Sequence, residues 1–112
     1  MRLLIGLLLS SSVLAAADSA AAAKAILERS CITCHGPDKQ KGGLRLDSHA
    51  AIRKGGKEGE VVVAGDPANS RLIAAIGWED EDTRMPPKRK LSDEDIATLT
   101  EWVRAGAPWP VD

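Results

Sequence analysis

Cys31, Cys34 and His35 carry the chemistry of this chain. They stand in the run Cys31-Ile32-Thr33-Cys34-His35. One helical turn separates the two thiols, so both lie on the same side of the backbone. Thiols at that spacing can each add to a vinyl group of a haem, leaving two thioethers. His35 follows immediately, where its imidazole reaches the iron as the proximal ligand. The pattern predicts one covalently bound haem c, anchored by Cys31 and Cys34 and ligated by His35.

Other chemistries of a Cys-x-x-Cys pair fit less well. A thioredoxin-like dithiol needs a strand before it and a βαβ unit around it. Here residues 20–29 are alanine-rich and read as helix. A zinc site needs four ligands, or three and a water. The sequence holds two Cys and two His in all, and two of the four are adjacent. A plain disulfide would leave His35 as a coincidence.

The sixth position on the iron points to Met85, the only methionine besides Met1. Its thioether is a soft ligand that suits haem iron opposite histidine. Pro86 and Pro87 stiffen the loop after it. His49 is the rival ligand, although its polar surroundings favour a surface role. Arg45 and Arg71 are candidate partners for haem propionates, but each reads first as a solvated arginine. Trp102 is either core or a propionate donor. Lys88-Arg89-Lys90, beside the ligand loop, is a solvated cluster or a steering patch for an acidic partner.

The start of the chain bears on compartment. Met1-Arg2 is followed by the apolar run Leu3–Leu9 and by the small residues Ala15-Ala16-Ala17. This predicts a secretory signal over residues 1–17, cleaved near Ala17, and a periplasmic or otherwise exported protein. The apolar stretch is too short to span a bilayer comfortably.

What remains, residues 18–112, is one small domain by length. The chain has no Phe, no Tyr and three Trp. A domain this poor in aromatics gains from a large apolar cofactor in its core, so the apo-chain is expected to fold poorly. Fifteen Lys and Arg stand against 16 Asp and Glu, and loss of Arg2 with the signal makes the balance more acidic. Nothing there suggests nucleic acid.

The remaining pattern supplies the elements. Residues 20–30 form a helix with Ile26 and Leu27 on one side, broken after the motif at Gly36-Pro37. Residues 44–47 alternate and read as a strand-like segment. Ser48–Arg53 reads as a helical turn, and the β-branched residues 60–64 as extended chain. Asp66-Pro67 reads as the start of a helix that runs through Leu72, Ile73 and Ile76 to Gly77. Residues 79–82 read as a solvated acidic loop. Ser92 caps a last helix with Ile96, Leu99, Trp102 and Val103 on its apolar side, ended by Gly106.

That order resembles a class I cytochrome c: mostly α, with N- and C-terminal helices packed beside a covalently bound haem. Ile26 and Leu27 are then expected against Leu99, Trp102 and Val103. More narrowly, the chain resembles the planctomycete-type cytochrome c domain. The resemblance rests on Cys31–Gly36, Gly43-Leu-Arg-Leu-Asp-Ser48, Gly65-Asp-Pro-Ala-Asn-Ser-Arg-Leu72, Met85-Pro-Pro87, Leu91-Ser92 and Trp102-Val-Arg-Ala-Gly-Ala107. It implies covalent haem c with His35 proximal and Met85 distal. Members usually head much longer proteins. This chain stops soon after the domain, so its redox partner is expected to act in trans.

The function expected is a non-enzymatic mono-haem electron carrier. It is expected as a monomer, free or peripherally associated with a membrane. Two alternatives stay open: a haem-based gas or redox sensor with a labile sixth ligand, and a non-haem Cys-x-x-Cys thiol oxidoreductase.

Overall fold

The computed structural model describes residues 18–110; the signal read in residues 1–17 lies outside the described residues. Among the described residues four helices make the frame: α1 (residues 18–30), α2 (His49–Lys54), α3 (Arg71–Ile76) and α4 (Asp93–Arg104). Two single 3₁₀ turns, Lys41–Gly43 and Pro67–Asn69, punctuate the loops. Among the described residues there is no strand, and only isolated bridges join His35 to Gln40 and Gly56 to Gly59. The architecture is mostly α, as the pattern predicts.

The two end helices supply most of the core. Helix α1 buries Ala20, Ala23, Ile26 and Leu27, a three-to-four spacing that makes one face. Helix α4 buries Leu99, Trp102 and Val103 completely. The expected grouping holds: Ile26 and Leu27 share one apolar cluster with these three residues. Arg29, near the end of α1, meets Asp95 in the first turn of α4 at 2.5 Å. That pair is partly exposed, so it fixes register more than it adds stability.

The ends of α4 follow from sequence. The Ser92 hydroxyl accepts the Asp95 N–H at 3.0 Å. Asp93, Glu94 and Asp95 sit in its first turn and Arg104 in its last, both favourable to the helix dipole. Past the helix, Gly106 takes a left-handed φ of 101°. The tail then folds back, with the Trp102 indole N–H donating to the Pro108 carbonyl at 2.7 Å.

Three sequence expectations are corrected. Residues 44–47 do not form a strand. The Leu46 N–H instead donates to the His35 carbonyl at 2.8 Å, tying the segment to the motif. The helix expected from Asp66 is also split. Asp66 and Pro67 do start a helical turn, but it ends at Asn69. Buried Ser70 is extended, and its hydroxyl accepts the Val63 N–H at 2.8 Å and donates to the Asp66 carbonyl at 2.9 Å. Local hydroxyl bonds of this kind compete with helix propagation, and α3 starts afresh at Arg71. Residues 60–64 are not one extended run either: the chain bends at Val61 and enters a turn at Ala64; the Val61 carbonyl accepts from Leu72 N–H at 2.9 Å.

Candidate functional site

The motif leaves α1 as one further turn. Cys31 N–H still donates to the Leu27 carbonyl at 2.9 Å, and His35 N–H donates to the Cys31 carbonyl at 3.0 Å. Gly36 then lets the chain turn away. A Cβ there would stand 2.4 Å from the Ile32 carbonyl oxygen, closer than any side chain tolerates.

The turn at Lys41–Gly43 grips the motif twice. Lys41 N–H donates to the Cys34 carbonyl at 3.0 Å. The Lys41 carbonyl faces His35 Nδ1 at 3.1 Å. A carbonyl only accepts, so that bond puts the imidazole proton on Nδ1 and leaves Nε2 with its lone pair free. This is the outer-shell bond that orients a metal-binding histidine.

Cys31, Cys34 and His35 all line one cavity of about 410 Å³. Leu44, Leu46, Val61, Leu72 and Ile76 give it apolar walls. Met85 reaches the same cavity from the loop after α3. The four residues singled out by type and spacing therefore converge, although Met85 lies 50 positions beyond His35 in the chain. Both cysteines are free thiols. Burial, reinforced by the neighbouring Cys34, pushes the Cys31 thiol up to about 11. That is the reverse of a reactive dithiol, whose attacking sulfur is shifted down.

Met85 is 38 % exposed, yet its backbone is tied on both sides. Its N–H donates to the Ala75 carbonyl of α3 at 3.0 Å. The Trp78 indole N–H donates to the Met85 carbonyl at 3.2 Å and the Pro86 carbonyl at 3.0 Å. The Arg84 guanidinium lies 4.4 Å from the centre of the Trp78 ring. Trp78 itself has a left-handed φ of 66°, a conformation costing a bulky residue about 1–2 kcal/mol. The acidic loop between them is ordered by Asp80, whose carboxylate accepts Asp82 N–H at 2.9 Å and whose carbonyl accepts Arg84 N–H at 2.9 Å.

The other candidates fall elsewhere. His49 does not line this cavity; it stacks on Trp109 with ring centroids 6.2 Å apart. Arg45 grips Asp47 through two hydrogen bonds, which hold that carboxyl below its usual range. Arg71 does line the cavity, but its guanidinium is bound to Glu58 at 2.6 Å. Trp102 is fully buried and spends its N–H on Pro108. Lys88, Arg89 and Lys90 are exposed, directly after Pro87. Trp78 is the residue that sequence reasoning passed over. The available signal was an indole placed just after a helix-stop glycine in an otherwise polar loop.

A family model described as planctomycete cytochrome C matches residues 31–89. The chain belongs to that family. The match begins at Cys31 and takes in His35 and Met85, and it covers more than half of the chain. No curated protein and no solved structure matches. A planctomycete cytochrome C domain is a haem-binding, electron-carrying module of the cytochrome c type. The residues present fit that cofactor. The cytochrome c cavity has apolar walls for a porphyrin, two thiols one turn apart, an imidazole with Nε2 free and a thioether. Its volume is in the usual range for bound small molecules.

Proposed function

We propose that this cytochrome c domain carries single electrons on one haem c. The thiols of Cys31 and Cys34 would anchor it, each by adding S–H across a vinyl group to give a thioether with no atom lost. His35 Nε2 and Met85 Sδ would hold its iron. The observation that carries the reading is the convergence of these four side chains on one apolar cavity. The bond from His35 Nδ1 to the Lys41 carbonyl supports the proximal assignment.

Bound there, the haem supplies reversible one-electron oxidation and reduction at iron. The chain's own residues do the rest. The Lys41 carbonyl fixes the imidazole tautomer and the orientation of its ring. Leu44, Leu46, Val61 and Leu72 keep water from the cavity and lower its polarity. The family is one of electron-carrying modules, which supports transfer rather than bond chemistry as the role.

The protein acts outside the cytoplasm, as a monomer, and exchanges electrons with a redox protein. Residues 1–17 direct export. The exposed Lys88-Arg89-Lys90 cluster beside the ligand loop favours an acidic redox partner. The exposure of Met85 also supports a second reading, a sensor whose sixth ligand leaves easily. The thiol oxidoreductase reading loses support from the raised Cys31 thiol.

The test is expression with haem-maturation machinery and a haem stain on a denaturing gel. The stain should stay with the chain, and changing both Cys31 and Cys34 to Ala should abolish it. A colourless wild type with a Cys31–Cys34 disulfide refutes the reading. Deleting residues 1–17 should leave apo-protein in the cytoplasm. Holo-protein there would contradict export.

A further inference from the structure

We propose that Trp78 is a positioning residue for Met85, which sets how readily the sulfur leaves its ligand position. The inference rests on the reading of Met85 as the distal ligand. The segment 85–90 has no helix or strand to hold it. Its backbone around Met85 is fixed by the Met85 N–H bond to Ala75 and by the Trp78 indole N–H. That single N–H is shared between the carbonyls of Met85 and Pro86, which belong to the two peptide groups that follow the ligand. Both carbonyls thus depend on one side chain.

Trp78 is itself held in place by its surroundings. The Ala75 carbonyl accepts both Trp78 N–H, at 3.3 Å, and Met85 N–H, at 3.0 Å. The end of α3 therefore gathers the donor and the ligand segment at one atom. The Arg84 guanidinium covers the indole ring, a cation–π contact one residue before Met85. A bulky residue kept at φ 66° indicates that the surrounding contacts over-determine it. Among the described residues, no hydrogen bond apart from those of Met85 N–H and this indole reaches the backbone of residues 85–87. The Met85 side chain is partly exposed, so packing alone does not pin it.

The role follows from a two-state opening of the loop. With the indole bonds formed, the sulfur stays at the cavity. Without them, the population with the sulfur withdrawn rises, and an outside ligand binds the iron through that population. Loss of one such hydrogen bond changes an equilibrium by about tenfold.

The experiment uses holo-protein and carbon monoxide as the probe of an open ferrous site. Binding rates are measured for wild type, Trp78→Phe, Met85→Ala, the double variant and Arg84→Gln. Ferric optical spectra and helix content by circular dichroism accompany them. Trp78→Phe keeps the ring under Arg84 but removes the donor. It should bind carbon monoxide about tenfold faster than wild type, with helix content unchanged. Met85→Ala should be faster still. In that background Trp78→Phe should add less than about twofold, because the residue it positions is gone. Arg84→Gln should raise the rate by a smaller factor, and it keeps the test open should Trp78→Phe fail to mature. Wild-type rates in both Trp78→Phe and Arg84→Gln, with Met85→Ala fast, overturn the positioning role alone. A full additive effect of Trp78→Phe on top of Met85→Ala also overturns it. Wild-type behaviour in Met85→Ala refutes the distal-ligand reading, and the positioning role falls with it.

Discussion

Replacing Trp102 by Phe separates scaffold from site. Trp102 is completely buried among α1 and α4 residues, and its indole N–H donates to the Pro108 carbonyl at 2.7 Å. Phenylalanine removes that donor, worth about 1 kcal/mol net. The smaller ring also leaves a void in a packed core, worth about 1–2 kcal/mol more. The sum is about 2–3 kcal/mol. For a domain of this size each kcal/mol moves the thermal midpoint by about 4–8 °C, so the drop should be about 10–20 °C. The assay is thermal unfolding of the holo-protein followed by far-ultraviolet circular dichroism. Trp109→Phe is the internal control. Trp109 is half-buried and stacks on exposed His49, so its loss should cost under about 1 kcal/mol. Trp102 does not line the haem cavity, so the reduction potential should stay at the wild-type value. A Trp102→Phe midpoint no lower than that of Trp109→Phe would refute the packing argument. A shifted potential with an unchanged midpoint would restore Trp102 as a propionate donor.

Three further outcomes follow from the geometry. Gly36→Ala forces a Cβ to within 2.4 Å of the Ile32 carbonyl; it should destabilise by about 1–3 kcal/mol and lower the yield of covalent haem, both read from gels and melts of matched preparations. In Cys34→Ala apo-protein whose helix content is verified by circular dichroism, burial that raises the Cys31 thiol from 9.0 to about 11 should make its alkylation at pH 8 slow until denaturant is added. Arg45 holds the Asp47 carboxyl below its ordinary value of 3.8. The folded state is the better acid there, so this contribution is present above about pH 4 and is lost as pH falls through the lowered folded value. Asp47→Asn should flatten that acid limb in a plot of melting midpoint against pH, and an unchanged limb would show that the pair contributes nothing.

Much of the site was legible because its signals are local. Two thiols and an imidazole within five residues fall on one turn of helix wherever that turn is placed, so Cys31, Cys34 and His35 could be read without a fold. Ser92, Asp66 and Gly106 are likewise local rules of backbone capping. The apolar stripes of α1 and α4 named their own buried faces, since helical period alone decides which residues share a side. Met85 was legible by composition, as the one methionine besides Met1, and the fold brings it to the cavity of the motif.

Tertiary structure decided what depends on chain segments meeting across long separations. Only the folded chain shows that the Lys41 carbonyl takes His35 Nδ1, that His49 goes to Trp109 instead of the cavity, and that Trp102 spends its N–H on Pro108. The same holds for the broken helix at Ser70 and for residues 44–47, where a bond to a distant backbone group outweighed a weak local propensity. Trp78 was invisible for that reason. Its importance lies in two carbonyls seven and eight residues away, brought within reach by a left-handed turn that the residue types do not announce. Spacing along the chain determines which groups are available; the closing of loops over a shared core determines which of them meet.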